Sequence, residues 1–135
     1  MKILAILLIF SFFFIKYVAS YSSLVGGKTN RDPNDPEIVA LARKVTIKYN
    51  QQSNDLYLYT FSHIQSATSQ VVSGVLYELD VLAVKTDCIK NNADLGKETN
   101  CPASANGGRV LIKATVYSVP WEDSEEITIQ SSTNV

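Results

Sequence analysis

The chain has 135 residues, 12 Lys or Arg against 13 Asp or Glu, one histidine and two cysteines. That is the length of one domain with a modest core. A net charge of −1 with no basic stripe excludes a nucleic-acid footprint. One histidine and no Cys-x-x-Cys leave no metal-ligand or redox spacing.

Lys2, the apolar run Ile3 to Ile15 and the small residues Val18-Ala19-Ser20 predict a secretory signal peptide over residues 1–20, with one domain over 21–135. The apolar run falls short of the roughly 20 residues a membrane span needs, so no membrane association is expected after cleavage. Residues 21–30 lack a helical or strand period and read as an N-terminal arm. Within it the apolar pair Leu24-Val25 precedes Gly26-Gly27, where the chain can bend sharply. Asp35-Pro36 is a helix start, Asp35 as cap and Pro36 at the first helical position. From there Ile38, Leu41, Ala42, Val45 and Tyr49 form one apolar stripe, with Arg43, Lys44 and Lys48 on the wet side. Asn50 to Asp55 is expected to end the helix and form a polar loop.

Two strand-like runs follow, Leu56 to Ile64 and Val75 to Val84. In the second, Val75, Tyr77, Leu79, Val81 and Ala83 share one face, as in an antiparallel sheet buried on one side. A turn over Gln70-Val71-Val72-Ser73-Gly74 is expected to separate the runs, and Gly74 is its one residue free of the penalty on positive φ. Hairpin tips are normally polar, so the two valines imply a surface that docks into something. Cys88 and Cys101 flank a loop containing Asn91, Asn92, Gly96 and Asn100, and read as a disulfide in a secreted chain. Such a bridge stabilises by roughly 3 kcal/mol. A third strand, Val110 to Val119, ends at Pro120-Trp121. An acidic run, Glu122 to Glu126, is expected to be a solvated turn before a short last strand around Ile127 to Ile129. The architecture expected is α+β: one long helix packed across an antiparallel sheet of four to five strands.

Nothing here points to an enzyme. His63 sits mid-strand without a free cysteine or a serine triad, and Glu78 and Asp80 lie on the wet face of a strand. No cofactor or metal is expected. What remains are three apolar features in exposed segments: Leu24-Val25-Gly26, Val71-Val72 and Pro120-Trp121. In a meander the two turns fall at the same end of the sheet, so with the arm they would form one apolar edge suited to a cleft. A tryptophan in a desolvated pocket is a typical binding hot spot.

With these motifs in this order, the chain resembles the secreted type 2 cystatins, reversible inhibitors of papain-like cysteine proteases. The resemblance rests on Leu24-Val25-Gly26-Gly27, on Gln-x-Val-x-Gly as Gln70 to Gly74, and on Pro120-Trp121, and covers residues 21–135. It implies that Gln70, Val71, Val72, Ser73, Gly74, Pro120 and Trp121 enter the protease cleft as a non-covalent wedge. Leu24 and Val25 would occupy non-primed subsites, and Gly26 would turn the arm away before a scissile bond is presented. Some members also use a Ser-Asn-Asp loop after the helix against legumain, an asparagine-specific endopeptidase. Here that loop reads Ser53-Asn54-Asp55, residue types common to any loop. The type 2 pattern has two disulfides; this chain keeps Cys88–Cys101, and Ile112 stands where a third cysteine would be. A monomer is expected, with exchange of the helix and first hairpin between two copies left open. The alternative is a secreted protein of the same fold that binds another ligand and inhibits nothing.

Overall fold

The computed structural model describes residues 26–98 and 100–135, so the signal-peptide expectation and Leu24-Val25 lie outside the described residues. Its helix, α1 (Pro36–Gln52), begins as the sequence requires: the Asp35 carboxylate accepts the Glu37 amide at 2.9 Å, with Pro36 in the first turn. The buried face is Ile38, Leu41, Ala42, Val45, Thr46 and Asn50. Asn50 therefore does not begin a loop. Its amide group donates to the Tyr59 carbonyl at 2.8 Å and accepts the Tyr59 amide at 2.9 Å, pairing with a strand as another strand would. Its polarity hid an inward position that the spacing Ala42, Thr46, Asn50 carries.

Five strands make one antiparallel sheet in chain order: β1 (Thr29–Asn30), β2 (Tyr57–Val72), β3 (Gly74–Ile89), β4 (Arg109–Val119) and β5 (Ser124–Asn134). The expected turn between the first two runs falls inside Gln70–Gly74, at Ser73, but the first strand runs well past Ile64 to reach it. β2 continues through Gln70, Val71 and Val72, and only Ser73 separates Val72 from its partner Gly74. Sixteen residues stay in one strand because β2 shifts register three times, between Tyr57 and Tyr59, Phe61 and His63, and Ile64 and Ser66. Such bulges sharpen twist and bend, which keeps a long ribbon curved over a helix. They also break the alternation that would have marked the strand.

β5 is a second correction. It has 11 residues rather than a few, paired to β4 from Val119↔Ser124 to Val110↔Asn134. Most of it is exposed, so no period of two marks its flanks. Between Lys113↔Ser131 and Ala114↔Ile129 the register slips, leaving Gln130 without a partner. The acidic run is divided: Glu122 closes a single 3-10 turn (Pro120–Glu122), while Glu125 and Glu126 belong to β5.

The core lies between α1 and the inner face of β2–β4, with Ile38, Val45, Val81, Ala83, Ile112 and Val116 fully buried. Each large aliphatic side chain there is worth roughly 1.5–3 kcal/mol. Ile112, which carries no disulfide, thus contributes packing at the centre of β4. The Cys88–Cys101 disulfide is formed, with Cα atoms 6.2 Å apart.

Candidate functional site

The turn at Ser73 needs its glycine twice over. Gly74 has φ of 124°, and a Cβ there would stand 2.6 Å from the Ser118 carbonyl oxygen. That close approach packs the first hairpin tip against the end of β4. The Tyr117 hydroxyl donates to the Ser73 carbonyl and adds a second tie. Beyond the buried Val119, Pro120 and Trp121 leave the sheet in the 3-10 turn. Asp123, left-handed at φ of 50°, turns the chain back into β5.

Gly26 lies beside the same tip: a Cβ added to it would stand 3.8 Å from the Val71 Cβ. The structure thus brings Gly26, Gln70 to Gly74 and Pro120-Trp121 to one end of the sheet. Trp121 is 71% exposed, Val71 63% and Val72 37%. Gln70 is half-buried, Ser73 and Pro120 are exposed, and Gly74 is buried. Three apolar side chains held in water at one rigid edge make a surface shaped for association. Leu24 and Val25 precede the described residues.

Ser53, Asn54 and Asp55 sit at the opposite end, between α1 and β2. Asn54 is exposed, and both neighbours are held. The Ser53 amide donates to the Tyr49 carbonyl at 2.8 Å, and its own carbonyl accepts the Lys90 ammonium at 2.7 Å. The Asp55 carboxylate accepts the Tyr57 amide at 3.1 Å, the Tyr59 hydroxyl at 3.1 Å and the Lys85 ammonium at 2.9 Å. Burial alone would push the Asp55 carboxyl up; those three donors outweigh it and hold the carboxyl below its ordinary value. Burial pushes the Lys90 ammonium down. None of Asn50, Tyr59, Lys85 and Lys90 was visible as a site residue in the sequence, because they come from α1, β2, β3 and the segment just after β3, which only the register unites.

His63 is exposed, and its one described partner is the neighbouring Ser62 hydroxyl at 3.2 Å. Among the described residues no three His, Cys, Asp or Glu side chains cluster to hold a metal, and no helix is long and apolar enough to cross a membrane.

A family model described as the cystatin domain matches residues 26–121. Onchocystatin from Onchocerca volvulus is 32% identical over 112 residues, spanning 83% of this chain and 69% of its own length. Cystatin-C from Oryctolagus cuniculus is 34% identical over 101 residues, spanning 73% of this chain and 66% of its own. Among solved structures, Al-CPI superposes with a TM-score of 0.72 at 38% identity, over 82% of this chain and 100% of that one. Dimeric human cystatin F superposes with a TM-score of 0.69 at 26% identity, over 86% of this chain and 91% of that one.

Proposed function

The chain belongs to the cystatin family of cysteine protease inhibitors and is not an enzyme, and we propose that it is a secreted, type 2 member acting on papain-like proteases of the cathepsin L, S or B kind. Inhibition is reversible, tight and non-covalent. Gln70 to Gly74 and Pro120-Trp121 enter the cleft together, Leu24 and Val25 fill subsites on the non-primed side, and Gly26 bends the arm away from the catalytic cysteine. The observation that carries this reading is the exposure of Val71, Val72 and Trp121 on two turns that are tied to each other. Rigid loops lose little entropy on docking, which is how an interface of moderate area reaches high affinity. A non-inhibitory binder has no physical need for valines at a solvated hairpin tip. The test is an inhibition panel of papain and cathepsins with the correctly folded protein. Tight reversible inhibition of at least one is expected, and none at large excess would overturn the assignment. Gly26→Trp should weaken inhibition by blocking the bend.

A second, separate site on Ser53-Asn54-Asp55 acts on legumain. The observation favouring it is that Asn54 alone of the three is displayed while both its neighbours are anchored. Secretion rests on the leader-like residues 1–20 and on the disulfide. The working form is a monomer.

A further inference from the structure

The loop carrying Asn54 has a frame that its own three residues do not supply. We propose that Lys85 and Tyr59 are positioning residues, whose joint grip on the Asp55 carboxylate fixes the pose in which Asn54 is offered to an asparagine-specific endopeptidase; this rests on the legumain reading above.

The two residues are register partners on β2 and β3, so the sheet sets their side chains side by side. Both reach the same Asp55 oxygen, Oδ2, at 3.1 Å from the Tyr59 hydroxyl and 2.9 Å from the Lys85 ammonium. The other oxygen, Oδ1, takes the Tyr57 amide at 3.1 Å, and the Asp55 amide donates back to Ser53 Oγ at 3.0 Å. With both oxygens engaged, the carboxylate faces the sheet and leaves Asn54 uncovered. Charge-assisted bonds of this kind are short and directional.

Tyr59 is itself immobile. Its ring stands edge-on to Tyr49 with centroids 5.3 Å apart, it is 4% exposed, and Asn50 holds its backbone on both sides. The Lys85 ammonium lies 5.8 Å from the centroids of both the Tyr57 and Tyr59 rings, so its path to Asp55 is lined by aromatic faces. The grip is therefore continuous from the end of α1 through β2 to β3, and it ends one residue from Asn54. A displayed residue gains affinity when its pose is already set before binding. Lys85 and Tyr59 do not themselves flank Asn54 in sequence; they act through Asp55.

The test compares wild-type full-length secreted protein with Lys85→Met, Lys85→Arg and Tyr59→Phe. Met keeps the length of the stem and removes the charge; the Lys85 backbone bonds to Gly108 and Ser104 remain. Three readouts are taken: inhibition of legumain, inhibition of papain, and amide exchange at residues 54–56 in the free protein. Lys85→Met is expected to weaken legumain inhibition roughly tenfold or more, to speed exchange in the loop, and to leave papain inhibition unchanged. Tyr59→Phe should act in the same direction, and Lys85→Arg should restore tight legumain inhibition. Wild-type legumain inhibition with no loss in Lys85→Met and Tyr59→Phe overturns the positioning role while the legumain reading stands. Equal loss of papain and legumain inhibition in those variants also overturns it, since the pair would then merely support the fold. A wild-type protein that inhibits papain but not legumain removes the legumain reading, and the positioning role with it.

Discussion

The Tyr117 hydroxyl donates to the Ser73 carbonyl, tying the tip of the first hairpin to the strand that leads into the second. The two turns carrying Val71, Val72 and Trp121 thus move as one body. Tyr117→Phe should leave the melting temperature almost unchanged, because both partners sit near water and such bonds are worth about 1 kcal/mol or less. It should instead shorten the lifetime of the complex with papain, measured as a faster dissociation rate. Gly74→Ala should do both: strained φ and the clash with the Ser118 carbonyl destabilise the fold by about 1–3 kcal/mol and move the tip.

Trp121→Ala should cost binding without costing stability. At 71% exposure the indole contributes little to the core, so the thermal midpoint should stay put. In the proposed wedge its burial in a protease cleft would be a hot-spot contact of about 2 kcal/mol or more, so its loss should cost roughly thirtyfold in affinity. Inhibition constants measured beside thermal melts separate the two.

Asn54→Lys should abolish legumain inhibition and leave papain inhibition intact. The two ends of β2 are separated by most of a 16-residue strand, roughly 50 Å if fully extended. No steric or electrostatic effect of a surface lysine reaches that far through screened solvent. Loss of both activities together would show that the sites are not separate.

Acid should weaken the fold through the start of α1. Arg31 donates to Asp35 at 3.2 Å and to Glu37 at 2.8 Å, and the Tyr77 hydroxyl donates to Glu37 at 2.9 Å. Arg31, then Tyr77, holds the Glu37 carboxyl below its ordinary value; the Glu37 amide, then Arg31, does the same for Asp35. Groups with depressed folded values bind fewer protons folded than unfolded. Their stabilisation is present above the unfolded values, near pH 4, and is lost as pH falls through the lower folded ones. Melting temperatures should therefore be flat from pH 7 to about 5 and fall below about 4. Glu37→Gln should shallow that fall.

Much of this molecule was legible from the residues, and the illegible parts share a cause. The α1 stripe, the buried face of β3 and the solvated valines and tryptophan were readable because each pits apolar surface against water in a simple period. β2 was read as ending at Ile64 because its bulges and the polar run from Gln65 to Gln70 interrupt that period. β5 was read too short because most of both its faces is wet. The grip on Asp55 was invisible for another reason: Tyr59 and Lys85 lie far apart in the chain, and only the register of β2 on β3 makes them neighbours.

The unpartnered Gln130 has a consequence for crowded solution. Among the described residues β5 is the last strand of the sheet, and its outer row of amides and carbonyls faces away from β4, where a strand from another molecule could add. It holds neither lysine nor proline to discourage this. The extra residue throws that row out of step halfway along, so an incoming strand can zip only half its length before the pattern fails. Deleting Gln130 would straighten the row, and light scattering should then record self-association at concentrations where the wild-type protein stays single.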